Sequence, residues 1–141
     1  GGGLAVTGTD ATIEGSIVWG NVAEVGKQIF ADEYSNLEVT FSAVMGGWPG
    51  EGNISDDPLF VSGPLGEYYL SQLAAGQSQD SPCVDGAAQP ASTTCIELAG
   101  EPSCLDDRTT RTDGVMDEGV ADMGYHYVII EGTPTPSPLA S

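Results

Sequence analysis

The sequence predicts an all-β protein in which short strands stack as the coils of a solenoid. Twenty of the 141 residues are glycine and nine are proline. Both exceed their average usage of about 7% and 5%, and such frequent breakers leave little room for long helices. Two strand-like segments, 13–20 and 39–46, share a pattern when Ile13 is aligned with Val39. A repeat with a period in the tens of residues, built from short strands and glycine turns, is typical of a solenoid.

The repeat is carried by four matched pairs of positions. Within each segment, β-branched and aromatic residues nearly alternate with other residues, as in a strand. A further short strand is expected at 28–31, closed by a polar turn at 32–36, so that one coil comprises two or three strands with their turns. The matched pairs are Ile13 with Val39, Ser16 with Ser42, Val18 with Val44, and Gly20 with Gly46.

The second half of the chain is less regular. A loop of breakers at 47–52 leads into a turn and strand at 53–61, and a short helical piece is expected near 71–75. Further strands are expected at 67–70 and 124–130, with an irregular stretch at 87–100 between them. The chain therefore divides into a β body, residues 1–131, and a Pro/Thr/Ser-rich linker or tail, residues 132–141.

The net charge argues against two large classes of function. Three basic and 21 acidic residues give a formal net charge of −18. A surface so poor in cations cannot neutralise a row of phosphates, so we expect no nucleic-acid partner and no docking on anionic lipid. No apolar run approaches the ~18 residues of a membrane-spanning helix. Because 40% of residues are hydrophobic and only 17% are charged, the composition is that of a folded chain.

Seven short strings occur in a fixed order along residues 16–127. They are SIVWGN at 16–21, GGWPG at 46–50, NISDDPLFV at 53–61, YLS at 69–71, DSPCVDGA at 80–87, LDDRTTRTDG at 105–114 and DMGYHY at 122–127. This series resembles the C-terminal part of bacterial secreted right-handed parallel β-helix proteins, the pectate-lyase-like solenoids. The resemblance implies a right-handed parallel β-helix of few coils, an irregular C-terminal cap and an extracellular or cell-surface location. It selects no chemistry, because such solenoids include lyases, hydrolases, adhesins and plain surface proteins.

A β-helix that starts near Gly1 would expose an unpaired strand edge, because coils stack by backbone hydrogen bonds. We expect that edge to be covered by upstream coils or by copies of the same chain, and head-to-tail contacts would build a fibre. The expected function is thus a non-catalytic extracellular structural or adhesive β-helix module that can self-assemble into a surface fibre. Carbohydrate is a further possible partner.

The alternative is the terminal domain of a carbohydrate-active β-helix enzyme, either a polysaccharide lyase or a glycoside hydrolase, with catalytic coils upstream. An enzyme is the minority interpretation. None of Lys27, Arg108 and Arg111 falls in a string that resembles a catalytic one. The single histidine, His126, lies between two tyrosines without a Gly-x-Ser-x-Gly element, and we expect it to be a packed or hydrogen-bonded strand residue.

Three cysteines allow three single disulfide pairings. Cys95 and Cys104 flank a short loop with glycine and proline, at the segment that departs from the family pattern. A bond between them would close a small ring, stabilise the fold by roughly 2–3 kcal/mol and suit an oxidising compartment. Cys83 is expected to be a buried small hydrophobe. There is no Cys-x-x-Cys pair, so no zinc site is expected.

The densest acidic stretch raises the question of calcium. Hard cations take several oxygen ligands at once, and loops with these carboxylates could wrap one. The EF-hand spacing is absent, however, and Arg108 and Arg111 lie within the stretch. We therefore expect arginine–carboxylate pairs that pin the terminal segment to the last coil, with calcium as the alternative and no other cofactor. The candidate calcium ligands are Asp106, Asp107, Asp113, Asp117 and Asp122.

Two further groups of residues are candidates for modification or binding. Asn53 opens an Asn-x-Ser triplet for N-glycosylation, and Thr133, Thr135 and Ser137 lie in a tail with the composition of an O-glycosylated stalk. Several aromatic side chains could form a sugar-stacking face, although core packing is the main expectation for them. These are Trp19, Phe30, Phe41, Trp48, Tyr68 and Tyr69.

Overall fold

The computed structural model describes residues 2–129 as twelve short β-strands and three 3-10 helices, with no α-helix in that range. Gly1, the predicted strand end at Ile130 and the predicted tail at 132–141, with Thr133, Thr135 and Ser137, lie outside the described residues. Within 2–129, no helix is long and apolar enough to cross a membrane. The strands are β1 (Leu4–Val6), β2 (Asp10–Glu14), β3 (Ile17–Val18), β4 (Ile29–Ala31), β5 (Asn36–Thr40), β6 (Ala43–Val44), β7 (Phe60–Gly63), β8 (Gly66–Leu70), β9 (Cys95–Leu98), β10 (Glu101–Cys104), β11 (Arg108–Thr109) and β12 (Tyr127–Val128). The 3-10 helices are Leu73–Ala75, Ala91–Thr93 and Leu105–Asp107.

The first six strands form two rows of three that pair in parallel. β1 pairs with β4, β2 with β5 and β3 with β6. The offset along the sequence is nearly constant, since Leu4 meets Ile29 in the first pair and Ile13 meets Val39 in the second. The third pair keeps the offset of the second. The hydrophobic positions matched in the sequence repeat are therefore the ones that face each other across the ladder.

Serine and glycine repeat between the rows as well. Ser42, which is fully buried, accepts the Ser16 N–H at 3.1 Å through its hydroxyl, so the matched serines join the rows directly. Gly20 and Gly46 close the two rows in the left-handed region, with φ of 70° and 82°. An added Cβ would meet nothing within 4 Å at either position, so backbone conformation rather than space accounts for glycine there.

Alternation along the strands decides which side chains form the core. In β2, Ala11 and Ile13 are partly buried, while Asp10, Thr12 and Glu14 are exposed. One core cluster consists of Ile29, Val39 and Val44, and Trp48 from the breaker loop packs against it, as the sequence predicted. A second cluster joins the rows to the rest of the chain. Its buried members are Ala43, Leu70, Cys83 and Met123.

Beyond the two rows, the strand pairs of the described chain are antiparallel. β7 pairs with β8, β9 with β10, and β11 with β12. The last parallel contact is a single bridge between Ala43 and Ile54. The expected last strand at 124–130 is reduced to Tyr127–Val128 among the described residues, and the irregular stretch at 87–100 contains β9. The protein is thus mostly β, and its short parallel pairs, consistent with a few coils, lie within residues 4–54.

Candidate functional site

The acidic stretch between β11 and β12 folds inward. It runs over the chain that precedes it, because the Met123 N–H donates to the Cys83 carbonyl and the Leu70 N–H donates to the Thr110 carbonyl, both at 2.9 Å. Its polar side chains follow the backbone into the protein, so that Asp117, Asp122 and His126 are only 4–7% exposed. Ionisable side chains this deeply buried are rare unless they are paired or hydrogen-bonded.

Three carboxylates converge there. One oxygen from each of Asp85, Asp117 and Asp122 lies within 4.8 Å of the others. A cavity of about 180 Å³ adjoins them, and Gln72 and Thr110 also line it. Carboxylate oxygens are the donors that calcium prefers, so within residues 2–129 these three residues form the group that could hold a hard cation.

The five candidate calcium ligands predicted from the sequence therefore do not lie together. Asp117 and Asp122 belong to the cluster, whereas Asp113 pairs with Arg111, whose Nε lies 2.9 Å from Oδ1. Asp106 and Asp107 lie in a 3-10 helix outside the cluster. Calcium binding stays a prediction.

Asp85 was missed by sequence reasoning, because it lies far ahead of Asp117 along the chain. Within DSPCVDGA it shows no spacing relation to the acidic stretch. The only feature that marked Asp85 in the sequence was its place in one of the seven ordered strings.

The buried carboxylates are hydrogen-bonded by the protein itself. Asp122 accepts the Asp85 N–H at 2.7 Å through Oδ1 and the Thr110 hydroxyl at 2.5 Å through Oδ2. Thr110 in turn accepts from Gln72 Nε2 at 3.0 Å, and the Asp122 N–H donates to Asp117 Oδ2 at 2.9 Å. Among the described residues, no buried side-chain nitrogen or oxygen lacks a partner. Internal hydrogen bonds are therefore sufficient to explain how these carboxylates are held.

His126 completes this network. Its Nε2 lies 2.7 Å from Asp117 Oδ2 and its Nδ1 lies 3.1 Å from the Gly124 carbonyl. A carbonyl can only accept, so Nδ1 carries a proton. The Nε2 contact links the ring to the same Asp117 oxygen that accepts the Asp122 N–H. The predicted packed, hydrogen-bonded role agrees with this position, but the residue is not in a strand, because β12 begins one residue later at Tyr127.

Burial is the main cause of the pKa shifts of Asp122 and Asp85, the two carboxyl groups beside the His126–Asp117 pair. It raises the pKa of Asp122, although the hydrogen bonds from Thr110 and the Asp85 N–H act in the opposite direction. Burial, followed by the charge of Asp117, also raises the pKa of Asp85. The cluster can therefore take up a proton more readily than an exposed aspartate can.

The two arginines of the stretch behave differently. Arg111 pairs with Asp113 and also donates to the Ala74 carbonyl at 3.1 Å, which ties the terminal loop to the 3-10 helix Leu73–Ala75. Arg108 instead donates to the Ser103 hydroxyl at 3.2–3.3 Å, and no ion pair is found for it within residues 2–129. The expected arginine–carboxylate pairing is thus seen for one of the two.

The cysteines and Asn53 also have defined surroundings. Cys95 and Cys104 face each other in the β9–β10 hairpin and are joined by a disulfide. Cys83 is fully buried, as predicted, and burial raises the pKa of its thiol to about 11. Asn53 donates both Nδ2 hydrogens, to the Val39 carbonyl at 2.8 Å and to the Trp48 carbonyl at 3.1 Å. A glycan on Nδ2 would have to replace one of those hydrogens.

The aromatic side chains divide between core and surface. Tyr69 is buried and stacks on Tyr127 with ring centroids 4.0 Å apart, whereas Trp19 and Tyr68 line a surface groove. Sequence reasoning did not single out Phe60 and Tyr125, which line the same groove.

Comparison with known proteins found no family model, no curated protein and no solved structure that matches this chain.

Proposed function

We propose that this chain is a non-catalytic, extracellular structural or adhesive module of the right-handed parallel β-helix kind, whose free edge stacks on further coils. The observation that carries the proposal is the regular parallel register, in which three strand pairs share nearly the same offset along the sequence. A nearly constant offset in the tens of residues is what successive coils of a solenoid produce. The disulfide supports the extracellular part, because such bonds persist in oxidising compartments.

The free edge is the outer side of β1, β2 and β3. Leu4 and Val6 direct their backbone groups to β4, since Leu4 donates to the Gln28 carbonyl and Val6 accepts from Asp32. Backbone groups alternate in direction along a parallel ladder, so those of Ala5 point to the opposite side. By the same reasoning, Thr12 is directed outward in β2. No strand of residues 2–129 pairs with this side, and an additional coil would supply the missing hydrogen bonds.

On the opposite side, the second row is covered from Val39 onward. The Phe41 N–H donates to the Glu51 carbonyl at 2.8 Å, and Asn53 Nδ2 binds the Val39 carbonyl at 2.8 Å. Ile54 forms the bridge to Ala43. Because an open fibre needs complementary edges at both ends, the cover over the β5–β6 end favours a module that ends a β-helix or closes a pair of copies.

Thr12→Pro tests the edge. Proline removes an outward N–H without taking a hydrogen bond from the β2–β5 ladder, and proline is tolerated at such edge positions. The matched control is Thr12→Val, which keeps the N–H. We expect the wild type and Thr12→Val to self-associate with rising concentration in sedimentation velocity, and Thr12→Pro to remain monomeric with an unchanged circular dichroism spectrum. Equal association of Thr12→Pro would contradict the edge, and degradation of a polysaccharide by the wild type would contradict the non-catalytic role.

A further inference from the structure

We propose that a surface groove formed by Trp19, Phe60, Tyr68 and Tyr125, hereafter the aromatic groove, binds the quaternary ammonium group of a small choline-type cation. The groove encloses about 160 Å³, and Ile17 and Gly124 complete its lining. The four rings come from distant parts of the chain, so the fold is what brings them to one place.

Packing between the elements holds the aromatic groove together. Phe60 and Tyr68 meet edge to face across the β7–β8 pair, with centroids 5.3 Å apart and an interplanar angle of 85°. Tyr125 meets Tyr127 in the same way at 4.8 Å, and the Tyr127 hydroxyl accepts the Tyr68 N–H at 3.1 Å. The buried Tyr127 thus contacts two of the residues that line the groove, Tyr125 through its ring and Tyr68 through its backbone.

Gly124 brings the β3 end of the groove against the terminal loop. Its φ is 94°, and a Cβ added there would lie 2.6 Å from Ile17 Cδ1. Only glycine allows both this backbone conformation and this approach. Trp19, two residues after Ile17, is thereby placed on the same opening as Tyr125.

The aromatic groove keeps large rings in contact with solvent. Tyr68 is 59% exposed and Tyr125 is 63% exposed, while Trp19 and Phe60 are half-buried. Adjacent exposed aromatic residues that the core does not require point to a ligand. Aromatic faces attract cations, and the formal net charge of −18 concentrates cations at the surface. Charge and ring chemistry therefore select a cation.

The lining decides which cation. Among the described residues, no charged side chain lines the groove. A primary ammonium or a guanidinium carries N–H donors that would lose water without gaining carboxylate partners. A quaternary ammonium has no such donors, so rings alone can replace its hydration shell. The volume lies below the ~300–1,000 Å³ of drug-sized pockets, so it suits one headgroup rather than a larger ligand.

The test is a titration with choline, followed by NMR of the aromatic ring protons, beside its neutral carbon isostere 3,3-dimethyl-1-butanol. Shape and apolar area match in the two probes, so the difference isolates the charge. We expect choline to bind at least ~5-fold more tightly than the isostere, because exposed cation–π contacts of about 0.5–1 kcal/mol each add over the rings of the groove. Methyl glucoside and lysine, as neutral-sugar and primary-ammonium probes, should bind more weakly than choline.

Variants locate the binding. Tyr125→Ala and Tyr68→Ala should each weaken choline binding at least ~3-fold, as expected for loss of one ring from an exposed cation–π site. Tyr125→Phe, which keeps the ring, should bind like the wild type. Tyr34→Ala, at a 77% exposed tyrosine outside the groove, is the matched control and should have no effect.

Three outcomes would overturn the proposal. They are the absence of choline-dependent shifts, equal or tighter binding of the isostere, sugar or lysine, and unchanged choline affinity in both alanine variants with native circular dichroism spectra.

Discussion

Replacing Asn53 with alanine should destabilise the protein by about 3 kcal/mol. Its side chain donates to the Val39 and Trp48 carbonyls and accepts the Ser42 N–H at 3.1 Å through Oδ1. Each hydrogen bond contributes about 1 kcal/mol net, and three are lost together. Val39 and Ser42 are at most 1% exposed, so water cannot easily take the place of the amide. Because small domains are stable by only about 5–15 kcal/mol, a loss of this size is readily measured.

Ser55→Ala is the matched control. Ser55 is exposed and belongs to the same glycosylation triplet, but makes none of the Asn53 hydrogen bonds. Its replacement should change stability by less than ~0.5 kcal/mol. Asn53→Asp should be at least as harmful as Asn53→Ala near neutral pH, because a carboxylate oxygen would face two carbonyl oxygens where Nδ2 now donates.

The assay is urea denaturation followed by tryptophan fluorescence on unglycosylated protein, with free energies compared at equal m-values. If the free energy of unfolding of Asn53→Ala lay within ~0.5 kcal/mol of that of the wild type, the three hydrogen bonds would contribute less than about 1 kcal/mol each, and the prediction would be wrong. If Ser55→Ala were equally destabilised, the effect would belong to the loop and not to the amide.

The remaining predictions concern the buried carboxylate and the cysteines. The folded-state pKa of Asp122 lies above the ordinary value of 3.8, so its contribution to stability is present below about that pH and is lost as pH rises through the folded-state value. Relative to the wild type, Asp122→Asn should therefore gain stability between acid and neutral pH in denaturation series, and a pH-independent difference would contradict this. Cys83, whose thiol pKa is raised to about 11, should resist iodoacetamide at pH 8 in the native protein and react in urea, as mass spectrometry would show; rapid native alkylation would refute its burial. Cys104→Ser should lower the free energy of unfolding by roughly 2–3 kcal/mol, because the disulfide joins two cysteines nine residues apart in the sequence. A thermal midpoint equal to that of the wild type would count against that contribution.

The two rows could be predicted because each position of the repeat has a local physical reason. Val39 in β5 and Val44 in β6 must both point into the core, although a turn separates the two strands. Gly46 must adopt a positive φ. The same requirements apply in each row, so similar residues recur at a fixed separation along the sequence. The register then follows from the offset, as the pairing of Ile13 with Val39 shows.

The candidate site was only partly predictable, because its contacts are not periodic. Asp117 and Asp122 lie within one turn-rich segment, which composition identifies. Asp85 joins them through its N–H, which donates to Asp122 over a separation of 37 residues. The antiparallel pairs of the second half are similarly hidden, since strands as short as Arg108–Thr109 carry too few residues for alternation to be recognised.

The charge of the chain bears on what covers its free edge. An exposed strand edge invites unwanted pairing, and proteins commonly restrain it with charged side chains. In β2, Asp10 and Glu14 are exposed beside the outward-directed Thr12. Two copies that meet at this edge would bring these carboxylates together, each copy carrying a formal net charge of −18, and the repulsion would oppose stacking. Pairing between copies at this edge should therefore strengthen as the ionic strength is raised, and the concentration-dependent association of the wild type should be greater at high salt than at low salt.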